Sequence, residues 1–265
     1  MNQNIHTNSG KSIFDRYPNL ASLKGLAPDE IVEKEIGSRA DEFENDISRA
    51  RKTILTGNLN KIFPAELESQ KIQLENFLGH WGNVSIEELC KICLIVKFIK
   101  PNKILEIGTY NGMTTLQMAL NAPESCITYT LDLPDEISAS LELSELDNYV
   151  SKHFKQRFGT KTGSYFENRS DVNVVQKLGD SATFDYLEEV GADFDIIFID
   201  AAHDYNNKKI DTENAFKLLS KGGVILWHNY NDVCCPDVTK YLADISDKYK
   251  IFHLRNTMLA VYYNA

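Results

Sequence analysis

Seven short apolar runs constrain this chain more than any other feature: Lys103–Gly108, Cys126–Asp132, Val172–Leu178, Phe194–Asp200, Gly223–Trp227, Tyr249–Leu254 and Met258–Tyr263. The first five are compact runs separated by helical stretches, the pattern of parallel strands buried on both faces. Strands alternating with helices predict a doubly wound, mostly parallel α/β sheet. Only Arg255, Asn256 and Thr257 separate the last two runs. That link is too short for a parallel crossover, so the sheet is expected to end in an antiparallel strand pair.

Residues 1–80 read differently. Between Asp29 and Asp46 eight acidic residues face two basic ones, with no strand-like run. Pro28–Asp29 and Pro64 read as helix starts, the second running toward Leu78. An N-terminal helical extension, 1–80, serving as a lid or an oligomer contact, is therefore expected ahead of a main domain, 81–265. Ser85 and Glu88 form an S-x-x-E capping box, with Ile86, Leu89, Cys90, Cys93 and Val96 following at helical spacing. Cys90 and Cys93 then share a buried face, so their C-x-x-C spacing reads as packing rather than redox or metal chemistry. The net charge of −10 argues against a nucleic-acid or anionic-membrane partner. No apolar run is long enough to span a bilayer, and the Asn-rich start lacks a signal-peptide core. A cytoplasmic protein is expected.

The sharpest local feature is Glu106-Ile107-Gly108-Thr109-Tyr110-Asn111-Gly112-Met113-Thr114-Thr115, which joins a strand to a helix. Such a turn lets a ligand approach the backbone at the switch point of an open sheet. A dinucleotide loop needs G-x-G-x-x-G, yet Tyr110 stands at its second glycine and the spacing is G-x-x-x-G. Carboxylates end two successive strands, at Glu106 and Asp132. That combination suits a ligand with a cationic amino group and a ribose diol but no phosphate, such as S-adenosylmethionine.

These residues, with Gly179-Asp180-Ser181, Phe198-Ile199-Asp200-Ala201-Ala202-His203-Asp204-Tyr205 and Gly222–Asn229, resemble the class I S-adenosylmethionine-dependent methyltransferases. The similarity is to the branch of catechol and caffeoyl-CoA O-methyltransferases and their small-molecule- and sugar-directed bacterial relatives, over residues 85–265. It implies a Rossmann-like fold. It also implies that Glu106, Gly108, Tyr110 and Gly112 meet the methionine end, Asp132 the ribose, and Asp180 with Ser181 the adenine. Thr109, Thr114, Leu133 and Asp200 complete the implied cofactor set.

In metal-dependent members of that branch, a strand-end Asp and a later Asp-Asn pair hold a divalent ion. Asp200 and Asn229 match this pattern, while His228 stands where a carboxylate is usual. Magnesium prefers oxygen ligands and imidazole suits manganese or softer ions, so the resemblance leaves a Mg or Mn requirement open. His203, three residues beyond Asp200, falls where those relatives carry a lysine that helps deprotonate the acceptor. An imidazole of ordinary pKa about 6.5 can serve as that base.

The connection from Leu133 to Asp171 is long and locally basic, with Lys152, His153, Lys155, Arg157, Lys161 and Arg169. A lid or substrate loop for an acidic or sugar-like acceptor competes here with a plain surface insertion. The resulting expectation is methyl transfer to a hydroxyl of a small molecule. Against it stand a metal-independent N- or C-methyltransferase, a dinucleotide-dependent oxidoreductase and a non-catalytic scaffold. Homo-oligomer formation through the extension is a further expectation.

Overall fold

The computed structural model describes residues 13–17, 20, 28–77, 82–134, 138–149 and 161–264. Eight strands form one sheet: β1 Leu55–Gly57, β2 Lys103–Ile107, β3 Ile127–Asp132, β4 Val174–Leu178, β5 Phe194–Ile199, β6 Leu219–Trp227, β7 Ile251–Leu254 and β8 Ala260–Tyr263. Their spatial order is β1-β7-β8-β6-β5-β2-β3-β4. Only β8 runs antiparallel, between β6 and β7. The mostly parallel sheet with a closing antiparallel strand is therefore as expected. The chain leaves β2 for β3 and β4, then returns to β5 on the other side of β2. That reversal makes the carboxyl ends of β2 and β5 the switch point where ligands bind in such sheets.

Side-chain alternation along each buried strand feeds two cores. Leu105, Ile107, Ile197, Ile199, Ile225 and Trp227 face one layer; Ile104, Ile196, Phe198, Val224 and Leu226 face the other. The first layer holds helices Ala40–Thr53, Tyr205–Leu218 and Pro236–Ile245, and the second holds Ile86–Ile99 and Met113–Asn121. Trp227 is fully buried core, and its indole N–H donates to Thr212 Oγ1 at 2.9 Å. Ser85 and Glu88 form the expected capping box. Cys93 is buried and Cys90 half-buried, both as free thiols.

The extension differs from the all-helical expectation. Helices Asp29–Glu35 and Ala40–Thr53 are present, but Leu55–Gly57 adds a parallel edge strand beside β7. Beyond Pro64 the chain makes only a 3-10 turn, Ala65–Ser69, and then runs extended over 70–77. Two buried amides on helix Met113–Asn121 explain why. Asn121 bonds both the N–H and the C=O of Gln73, and Gln117 does the same for Glu75. These side chains satisfy the backbone as a neighbouring strand would, so a helix is not needed there. Helix Ala40–Thr53 is tied to Pro236–Ile245 by the pairs Arg49–Asp244 and Lys240–Glu42, and Arg39 just before it pairs with Asp237.

No helix among the described residues is long and apolar enough to cross a membrane. Of the basic connection, Lys152, His153, Lys155 and Arg157 lie outside the described residues. Lys161 pairs with Glu167, and Arg169 pairs with Glu75 and Asp171. Those two cations are engaged in internal pairs.

Candidate active site

The glycine loop is drawn tightly against the strand ends. Gly108 N–H donates to Leu131 O and Asp200 N–H to Ile107 O, both at 2.8 Å. Gly108 has φ 104°, and a Cβ there would lie 2.3 Å from the Asp200 carbonyl oxygen. No other residue fits so close to another backbone in that conformation. Gly112, at φ 84°, lies against the Phe166 ring, where a Cβ would approach to 2.5 Å. Tyr110 takes a left-handed φ of 49°, and its ring abuts Gly82. The bulky ring thus occupies the position where a dinucleotide loop requires glycine.

Glu106 does not line the mouth of this loop. It is 1% exposed, and its Oε2 accepts from the Thr115 and Thr130 hydroxyls. Burial raises its pKa to about 8 against the pull of those hydroxyls. A carboxyl that keeps its proton near neutrality supports the loop from beneath, which corrects the expected charged contact with the methionine end. Thr109, also buried, bonds Thr130 at 2.7 Å. Asp132 Oδ2 accepts the Tyr110 N–H at 2.7 Å, so the carboxylate at the end of β3 also fixes the loop. Leu133 follows, half-buried, while Thr114 is buried in the first turn of the next helix. Asp180, after β4, accepts N–H bonds from Ser140 and Ala182, with Ser181 half-buried beside it.

At the ends of β5 and β6 carboxylates and imidazoles alternate. Glu88 Oε2 lies 3.4 Å from His228 Nε2, His228 Nδ1 lies 3.1 Å from Asp200 Oδ1, and His203 Nε2 lies 3.9 Å from the same oxygen. Asp147 ends the series, with Oδ1 2.8 Å from His203 Nδ1 and Oδ2 accepting the His203 N–H at 2.9 Å. Ser144 positions Asp147 by accepting its N–H at 3.0 Å.

Burial disfavours every charge in this series, but the neighbours outweigh it. Asp200 is held well below the usual carboxylate range by His228 and His203. Glu88 falls to about 2 through His228 and the N–H groups of Met258 and Ser85. His203 rises to about 9 through Asp147 and Asp200. His228, between Asp200 and Glu88, lies well above the ordinary imidazole range.

That electrostatic pattern does not fit the metal set Asp200, His228 and Asn229. His228 Nδ1 lies 3.1 Å from Asp200 and Nε2 3.4 Å from Glu88, and these carboxylates raise the pKa of the ring, so protonation competes with metal binding there. Asp200 Oδ1 is shared by two imidazoles, and Asn229 Nδ2 donates to Asp232 at 3.1 Å. Asn229 Oδ1 is a buried oxygen without a hydrogen-bond partner, but one amide oxygen beside an imidazolium does not make a cation site. Among the described residues no cluster of three or more His, Cys, Asp or Glu is arranged to hold a metal. As paired here, these residues do not fit the divalent ion that the sequence left open.

Two members of the series were not singled out from sequence. Glu88 was read only as a helix cap, a role that already accounted for it. Asp147 lies in a stretch without periodic pattern, so nothing marked it.

Residues 105–230 match the model of a methyltransferase domain. Catechol O-methyltransferase B of Danio rerio is 25% identical over 244 residues, covering 89% of this chain and 81% of that protein. Caffeoyl-CoA O-methyltransferase 1 of Zea mays is 27% identical over 197 residues, covering 70% and 69%. Among solved structures, an O-methyltransferase from Bacillus cereus in complex with SAH aligns at TM-score 0.46 and 20% identity, over 69% of this chain and 83% of that one. Residues 105–230 thus match a methyltransferase domain, and the chain is similar to the catechol and caffeoyl-CoA O-methyltransferases.

Proposed function

We propose that the chain moves the methyl group of S-adenosylmethionine to a hydroxyl of a small molecule, with His203 as general base. The observation that carries this reading is the double contact of Asp147 with His203 beside Asp200 at the switch point. A carboxylate on Nδ1 holds the proton there and leaves Nε2 as the basic atom. The acceptor O–H gives its proton to Nε2, the oxygen attacks the methyl carbon in line, and the C–S bond breaks to release S-adenosylhomocysteine. The His203 side chain is 27% exposed, which gives the proton a route to water. Catalysis of this kind is mainly positioning plus proton removal.

In the same reading Asp132 accepts from the ribose hydroxyls, and Asp180 with Ser181 borders the adenine. Gly108, Tyr110 and Gly112, with Thr109, Thr114 and Leu133 around them, shape the methionine end. Asp200 faces the transferred methyl, and Glu106 supports the loop. Titration calorimetry with S-adenosylhomocysteine tests the cofactor site. Asp132→Ala should weaken binding about 10- to 100-fold, the worth of charge-assisted hydrogen bonds. Equal affinity in the variant would remove Asp132 from the site.

A further inference from the structure

A cavity of about 580 Å³ opens on the same edge of the sheet, on the β6–β7 side of the switch point. Its walls come from helix Ala40–Thr53, the end of β1, the segment after β6 and the turn between β7 and β8. Hydrogen bonds close these walls on one another: Arg255 N–H to Gly57 O and Tyr230 N–H to Met258 O, both at 2.9 Å. Met258 N–H also donates to Glu88 Oε1 at 2.7 Å. The volume lies within the range of small-ligand pockets. Glu88 is shared between this cavity and the catalytic series, being both a lining residue and the partner of His228.

The charge of the cavity runs against that of the chain. The protein carries −10 overall, yet Arg51 and Arg255 both line this space and are exposed. Neither guanidinium is ion-paired among the described residues. The lining carboxylate, Glu88, is neutralised by His228 and by the N–H groups of Ser85 and Met258. His253 contributes no charge: one ring nitrogen meets the Thr257 carbonyl at 2.7 Å, and the other lies 3.1 Å from the Thr56 hydroxyl. Burial first, then the positive charges of Lys91 and Arg51, depress its pKa. What remains is a preformed polar pocket with two guanidinium forks that have no ion pair among the described residues, the group best matched to carboxylate and phosphate oxygens.

We propose that the acceptor carries an anionic group, a carboxylate or a phosphate, which Arg51 and Arg255 hold while its hydroxyl reaches toward Asp200 and His203. This inference rests on the methyl-transfer reading above and adds the substrate class. It also gives the extension a function, because Arg51 belongs to it.

The test uses the full chain loaded with S-adenosylhomocysteine for binding and with labelled S-adenosylmethionine for turnover. Matched probes are 3,4-dihydroxybenzoate against 3,4-dihydroxybenzamide, and glucose 6-phosphate against glucose; the two arms separate carboxylate from phosphate. The anionic member of at least one pair should bind, and R51E and R255E should each weaken it about 10- to 100-fold. Affinity for S-adenosylhomocysteine should stay unchanged in both variants, which also reports that they fold. R51Q and R255Q should give smaller losses in the same direction. If no anionic probe binds, if the neutral members bind as well, or if charge reversal leaves binding unmoved, the inference is overturned. Failure of the wild type to bind S-adenosylhomocysteine would instead overturn the methyl-transfer reading itself.

Discussion

Asp147 grips His203 twice, with Oδ2 accepting the backbone N–H at 2.9 Å and Oδ1 lying 2.8 Å from Nδ1. One contact fixes where the ring stands and the other fixes which nitrogen is basic. The same carboxylate favours the imidazolium, holding the ring at about 9. Since the base acts only when deprotonated, turnover should rise with pH through neutrality and level off near 9. Asp147→Asn removes the charge and should shift that limb down toward the ordinary value of about 6.5. A pH–rate profile of the two proteins decides it, and an unmoved limb would separate Asp147 from the base. The stability sign is separate: a raised folded pKa gives stability that is complete below the unfolded value and lost as pH rises through about 9.

Glu88 should matter for stability more than a helix cap does. Removing it leaves the buried His228 imidazolium with one counter-charge and strips acceptors from Ser85 and Met258. Breaking a buried pair from one side costs about 3–5 kcal/mol. Urea denaturation at neutral pH should show a loss of that order for Glu88→Ala and a smaller one for Glu88→Gln, which keeps an acceptor. Because its folded pKa is depressed to about 2, the Glu88 contribution is complete above the unfolded value and fades as pH falls through about 2. A loss under 1 kcal/mol in Glu88→Ala would show that the pair is not stabilising.

Gly108→Ala should abolish cofactor binding. Its Cβ would meet the Asp200 carbonyl at 2.3 Å in a backbone conformation that L side chains rarely adopt. Gly112→Ala meets an aromatic ring instead, which can yield, so its loss should be smaller. Calorimetry with S-adenosylhomocysteine ranks the two. The reverse order would mean that the loop is not held by β5.

Turnover should persist in chelator. Asp200 and His228 are paired with one another, Asn229 Nδ2 is bonded to Asp232, and the neighbouring carboxylates raise the pKa of His228. Activity lost in chelator and restored by manganese or magnesium would contradict that arrangement.

The main-domain strands were readable because each is long and apolar enough to stand out, and the three-residue link at Arg255–Thr257 allowed only an antiparallel return. β1 was not readable, since three residues, two of them exposed, carry no periodicity. The strap over 70–77 was hidden for another reason: its backbone is satisfied by Gln117 and Asn121, more than forty positions away. The glycine loop was legible from its G-x-x-x-G spacing after a strand. Burial could not be read that way, and it is burial that turns Glu106 into a support, while the carboxylates of Asp200 and Glu88 raise the pKa of His228 against burial.

Single-turnover methyl transfer by wild type and His203→Ala, with S-adenosylhomocysteine affinity measured in parallel, tests the central claim most directly. The account predicts a rate lower by roughly 10²–10⁴-fold with affinity unchanged, the usual worth of a general base. An unchanged rate in His203→Ala would contradict it.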